Sequence, residues 1–211
     1  MARPIRQGQF RTAATRQRPY KPRHTIRTWV FTIVALGATA AALYNGYIVI
    51  RIFSYRHVNP EVTALMQQRA SEAISKGLPV KQIQTWVPYN RISPTLVRAV
   101  LAGEDSRFFD HSGFDWEEMQ KAIEKDWQEK GFKRGASTIT QQLAKNLFLS
   151  TSKNPLRKLH EALITWELEK ILGKRRILEI YLNVIEWGDG IYGAEAAAQH
   201  YFDTPASALS P

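Results

Sequence analysis

From Thr28 to Ile50 the chain reads TWVFTIVALGATAAALYNGYIVI, a run of 23 residues with no charged side chain and no polar face. As a helix it reaches about 34 Å, enough to cross a hydrocarbon core of about 30 Å. Arg27 and Arg51 bracket it, and Trp29, Tyr44 and Tyr47 sit towards its ends, where amphipathic rings favour the membrane interface. The pattern predicts a single transmembrane helix over residues 28–50. A buried core helix would be shorter and show a stripe. A cleaved signal peptide ending at Ala38-Thr39-Ala40 would not need the ten further apolar residues.

Beyond Arg51 the apolar positions recur at helical spacing. Asn59-Pro60 reads as a helix start, with Val62, Leu65, Met66 and Ala73 on one face and an end near Gly77. Residues 78–93 carry no clear period. Ser93-Pro94 starts a helix with Leu96, Val97, Val100 and Leu101 inward, which delivers Glu104 at its end. Asp115 caps another, with Trp116, Met119, Ile123 and Trp127 as its stripe. Gly131 to Gly135 reads as a flexible break, and a helix then starts at Ser137 or Thr138. Asn154-Pro155 opens a longer one to about Leu172, with Leu156, Leu159, Leu163, Trp166 and Ile171 inward. RRILEIYLNVIEW and GAEAAAQHYF complete the series, separated by the turn GDG at 188–190. No stretch alternates at period two, so the body is predicted to be all-α.

Charge sharpens the layout. Net charge is +10, but eight basic residues and no acid fall within residues 1–27, leaving 21 basic and 19 acidic side chains for the rest. A near-neutral body argues against nucleic-acid binding, which needs a basic face on the domain itself. The basic, proline-punctuated tail has little to bury and is predicted to be disordered and cytoplasmic, with the body outside the cytoplasm. There are no cysteines, which excludes disulfides and thiolate metal sites. The length of 211 residues allows one or two domains.

Candidate chemistry concentrates in GEDSRFFDHSGFDW, Gly103 to Trp116, where ionisable groups crowd among large aromatics. In GASTITQQLAKN, Thr138, Gln142 and Lys145 share one helical face and Ile139, Leu143 and Leu147 another. That helix follows a glycine-containing turn, so its first N–H groups are candidates to receive an anion. In RKLHE, Arg157 and Glu161 stand at i, i+4 and Lys158 and Glu161 at i, i+3, the less favourable order for a simple helix pair. Lys153, Arg157 and Lys158 around one carboxylate would suit a diphosphate. A solvated polar face and a surface salt bridge are the plain alternatives for these two stretches. His111 and His160 show no zinc spacing and are expected to make structural hydrogen bonds. STSK at 150–153 matches Ser-x-x-Lys by coincidence, since no Lys-Thr-Gly follows.

Taken together the stretches resemble the glycosyltransferase domain that polymerises peptidoglycan, the family-51 transglycosylases, and the short anchored chain resembles its monofunctional members. Glu104-Asp105-x-x-Phe108-x-x-His111-x-Gly113 is similar to the first motif. Gly135 to Asn146 is similar to the second, with Ala136 where a second glycine is common. Arg157-Lys158-x-x-Glu161, Lys174-x-x-Ile177-Leu178-Glu179-x-Tyr181-Leu182-Asn183 and GDGIYGAEAAAQHYF follow as third, fourth and fifth.

The resemblance implies a lysozyme-like helical fold over residues 85–211, behind a linker and first helix at 51–84. It implies lipid II, a disaccharide-pentapeptide on a polyprenyl diphosphate, and the growing glycan as substrates. It also implies an inner-membrane location with a periplasmic body, and other cell-wall synthesis or division proteins as candidate partners. Glu104 is the expected general base, made more basic by its aromatic neighbours, and Glu161 the second catalytic carboxylate. Lys145, Lys153 and Arg157 would neutralise the diphosphate. Asp105, Phe108 and His111 would shape the cleft, and Ser137, Thr138, Gln142 and Asn146 would bind sugar or phosphate. No cofactor is required, though a divalent cation, Mg or Mn, on the diphosphate is compatible, with Glu161 to hold it. In inverting glycosidases the paired carboxyls stand about 6.5–9.5 Å apart, and a loosely similar pair is expected here. Phe132, Leu147, Phe148 and Leu149 are candidates to dip into the leaflet. A lysozyme-like glycan hydrolase and a non-catalytic membrane scaffold are the alternative readings. The family's domain continues past the point where this chain stops at Pro211, so a C-terminal truncation is expected.

Overall fold

The computed structural model describes residues 26–128, 137–149 and 155–210. The expectations for the basic tail before Ile26, the 131–135 break, Phe132, Lys153 and the Asn154 cap fall outside them. Two compact units meet at Ala42/Leu43. The first, in its described part, is the apolar start of α1 (Ile26–Ser54), with its side chains exposed. This is one helix long and apolar enough to cross a membrane.

The second unit begins within α1, which does not stop at Arg51. Ile48 and Ile52 are fully buried there, and Asn45 Nδ2 donates to Glu167 Oε1 at 2.8 Å. After it come α2 (Ala64–Ser75), α3 (Pro94–Glu104), α4 (Trp116–Gln128), α5 (Ile139–Phe148), α6 (Pro155–Ile171), α7 (Lys174–Val184) and α8 (Ala194–Phe202). The core gathers on α5 and α7: Ile139, Leu143, Ile177, Leu178 and Leu182 are all fully buried, with Ile164 and Leu168 of α6 against them.

The body is mostly helical, as expected, with one addition. Strands β1 (Ile83–Gln84), β2 (Glu186–Gly188) and β3 (Ile191–Tyr192) form a sheet in the order β1-β3-β2, parallel then antiparallel. Strands of two or three residues are too short for period two to register. The sheet also ends α7 at Val184, so IEW leaves the helix expected to contain it. Asn183 makes that exit firm. Fully buried, it accepts from Val87 N at 2.8 Å and donates to Val87 O at 2.9 Å, while Gly193 (φ +82) crosses its carbonyl so closely that a Cβ would lie 2.5 Å from it.

Three helices depart in part from the expected stripes. α2 starts later than Asn59-Pro60: Thr63 caps it, accepting from Met66 N at 3.2 Å, and Val62 is exposed. On α4, Trp116 and Ile123 are exposed; the Asp115 cap holds, accepting from Glu118 N at 3.0 Å. On α6 the apolar row is turned outward: Leu156 and Leu159 are 71% and 70% exposed, and Leu163 and Trp166 are exposed too. The buried row of α6 is Glu161, Ile164, Thr165, Glu167 and Leu168.

Candidate active site

Glu104 is the last residue of α3, and the chain turns there because Asp105 is needed elsewhere. Asp105 is 8% exposed and crosses to the start of α5, where its Oδ2 accepts from Ile139 N at 3.0 Å. His111 Nε2 meets Asp105 Oδ1 at 2.9 Å. Thr138 caps the same helix: its hydroxyl accepts from Gln141 N at 3.2 Å and donates to Gly113 O at 2.7 Å. Gly113 (φ +87) has no room for a side chain, since a Cβ would lie 2.9 Å from Thr165 Cγ2. The helix start expected to receive an anion is therefore closed by the chain's own groups, and Thr138, 3% exposed, spends its hydroxyl inside the fold.

Phe108 is likewise interior. It is fully buried, edge-on to Phe109 and His111, with Lys174 Nζ 4.2 Å from its ring centre. Lys174 also donates to Glu169 Oε1 at 2.8 Å, which accepts from Thr140 at 2.6 Å. This chain of contacts joins the first, second and fourth motif stretches. It also removes the aromatic shielding expected for Glu104, which is exposed.

What holds Glu104 is Gln142, whose Nε2 donates to Glu104 Oε2 at 2.8 Å. Tyr181 in turn donates to Gln142 Oε1 at 3.0 Å. Burial, and then the nearby Glu104 and Asp105 carboxylates, push the Tyr181 hydroxyl well above the ordinary tyrosine range. It stays a donor, and so fixes which end of the Gln142 amide faces Glu104. In the sequence Tyr181 is only a motif letter; nothing in helical spacing marks a buried tyrosine as the support of a glutamine two helices away.

Glu104 lies on the rim of two cavities. One, of about 540 Å³, also takes in Gln142, Lys145, Asn146, Tyr181 and Trp187. The other, of about 680 Å³, takes in Ser106, Glu118, Lys121, Lys125 and Ser137. Glu161 lines neither. It is 3% exposed on α6, its Oε2 accepting from Arg157 Nη1 at 2.9 Å and its Oε1 from Lys158.

The metal-ligand types that cluster among the described residues are Asp105, His111 and Asp115. Their oxygens already serve the α5 and α4 starts, and Arg107 lies 3.7 Å from Asp115. A cation at Glu161 would have to displace Arg157 or Lys158. Neither set is a good fit for a metal. Leu147 and Leu149 are buried and Phe148 half-buried, so these are not the exposed apolar surface expected of them.

An exposed carboxylate on the rim of two cavities, held by an amide and sharing one cavity with a lysine, is chemically able to take a proton from a bound group. The family described as Transglycosylase matches residues 70–211. A biosynthetic peptidoglycan transglycosylase of Chromobacterium violaceum is 50% identical over 181 residues, covering 86% of this chain and 79% of that protein. Another from Methylobacillus flagellatus is 51% identical over 176 residues, covering 83% and 76%. A third, from Aromatoleum aromaticum, is 52% identical over 169 residues, covering 80% and 74%. The chain belongs to the transglycosylase family.

Proposed function

We propose that this chain is a peptidoglycan glycosyltransferase that polymerises lipid II into β-1,4-linked glycan with inversion. The observation that carries the mechanism is Glu104 standing between two cavities on a fixed amide, since a transferase must seat two sugars on either side of its base. Glu104 takes the proton of the acceptor 4-hydroxyl as that oxygen bonds to the donor's anomeric carbon. The bond from that carbon to the diphosphate breaks on the opposite side, and the polyprenyl diphosphate leaves with the electron pair. A diphosphate needs charge neutralisation more than a proton. Lys145 supplies it within the cavity, with Arg157 oriented by Glu161 and with Lys153. Gln142, Asn146 and Ser137 hydrogen-bond the sugars.

The basic tail faces the cytoplasm and the body lies in the periplasm, with α1 in the membrane. The outward row of α6, Leu156, Leu159, Leu163 and Trp166, meets the leaflet in place of the buried Leu147 and Leu149. Because the chain has no cysteine, a single Thr85→Cys is a clean reporter. Labelling of intact spheroplasts by an impermeant thiol reagent supports this orientation, and labelling only after lysis contradicts it.

The activity is tested by incubating detergent-solubilised protein with labelled lipid II and, separately, with preformed glycan. Polymer from the first and no new reducing ends from the second are expected. Cleavage of preformed glycan without polymer would make the protein a hydrolase instead.

A further inference from the structure

Next to the Glu104 cavity lies a third, of about 770 Å³, between α2 and the β2–β3 turn. The two share a wall made of Arg69, Glu186 and Trp187. The third cavity draws in charges of both signs: Arg69, Lys76 and Lys81 against Glu72, Glu186 and Asp189. Arg69 is fixed by both acids beside it, its Nε donating to Glu186 at 2.9 Å and its Nη1 to Glu72 at 3.2 Å. Lys81 reaches Asp189 at 3.3 Å with both side chains exposed, a contact that solvent and salt weaken. Within the shared wall, the Trp187 indole N–H is buried and has no acceptor among the described residues.

We infer that this cavity receives the stem peptide of the substrate, so that lipid II and the growing strand are gripped by their peptide as well as by their sugars. This rests on the glycosyltransferase reading above. The argument is one of chemistry. The N-acetylated sugars of the strand are uncharged and have no use for six ionisable side chains. The diphosphate is charged, but three carboxylates would repel it. A short peptide with free carboxylates and an amine is the part of the substrate that matches both signs. Its amide carbonyls are also acceptors of the kind the Trp187 N–H lacks. A cavity of this size suits a ligand of several residues. The shared wall places such a peptide beside a sugar held near Glu104.

The test uses the full chain and two lipid-linked disaccharides, one with the complete pentapeptide and one with the stem cut back to its first residue. Lys76→Ala/Lys81→Ala removes two exposed cations that lie outside the Glu104 cavity. For the complete substrate KM should rise roughly three- to tenfold with kcat unchanged, and for the trimmed one neither should move. Calorimetric titration with the isolated muramyl pentapeptide should give binding to the parent that is weakened in the variant. Equal effects on both substrates, no effect on either, or no peptide binding by the parent would overturn the inference. Failure of the parent to polymerise the complete substrate would instead overturn the glycosyltransferase reading, and this inference with it.

Discussion

Replacing Tyr181 with phenylalanine removes one hydroxyl and keeps a ring that is 2% exposed. What is lost is the 3.0 Å bond to Gln142 Oε1. A neutral hydrogen bond of this kind contributes about 0.5–1.5 kcal/mol, because its partner can turn towards water. Gln142 lines a cavity and can do so. The same free energy sets the catalytic effect, since an amide no longer anchored at Oε1 presents its Nε2 to Glu104 for less of the time. Converted at about 1.36 kcal/mol per factor of ten, kcat should fall roughly two- to tenfold. KM should stay within about twofold, because the tyrosine acts through Gln142 and touches no substrate in this account. The assay is lipid II polymerisation over a range of substrate concentration, with thermal unfolding in parallel. Combining the change with Gln142→Ala should add little to Gln142→Ala alone. An unchanged kcat would show that the amide needs no anchor. A loss beyond about a hundredfold would place the hydroxyl at the reacting atoms.

Other expectations follow from the same contacts. Glu161→Gln leaves Arg157 and Lys158 without their carboxylate; because the two side chains are 20% and 53% exposed, unfolding measurements should show a loss of about 1–2 kcal/mol rather than that of a fully buried pair. Gly193→Ala puts a methyl 2.5 Å from the Asn183 carbonyl at φ +82, and should cost more than about 2 kcal/mol or prevent folding, read by thermal unfolding. Burial raises Tyr192 to about 12 in the folded protein against 10.0 as the ordinary value. The unfolded chain therefore loses this proton first as pH rises. The contribution is complete below pH 10 and is lost towards pH 12, at about 1.4 kcal/mol per unit, a slope that Tyr192→Phe should reduce.

The charge-free run, the Ser93-Pro94 start and the cap at Thr138 were all legible, because each is a local signal that tertiary packing had no reason to override. Glu104 at a helix end, and Gln142 and Lys145 on one face of α5, followed from spacing alone. The errors share one cause. Leu156, Leu159, Leu163 and Trp166 form a regular helical stripe, and a stripe states only that a face avoids water. In a chain with a helix long and apolar enough to cross a membrane, a core is not the only apolar partner to consider. The polar row beneath, Glu161, Thr165 and Glu167, is buried with a partner for each residue: Arg157 and Lys158 for Glu161, the Glu161 carbonyl for Thr165, and Asn45 for one oxygen of Glu167. Thr138 and Phe108, both buried, make their contacts inside the fold for a related reason. A motif letter marks a residue the site depends on, and here that dependence runs through the start of α5 and the packing beneath it rather than through substrate. The sheet and the Tyr181 support rest on contacts distant in sequence, which periodicity cannot carry.

The role of Glu104 is the claim on which the mechanism stands. Glu104→Gln keeps the size of the side chain and an acceptor for Gln142, but not the ability to take a proton. Single-turnover polymerisation of labelled lipid II by this variant should be lost while substrate binding and thermal stability match the parent. Polymer formed at the parental rate would show that another group removes the proton.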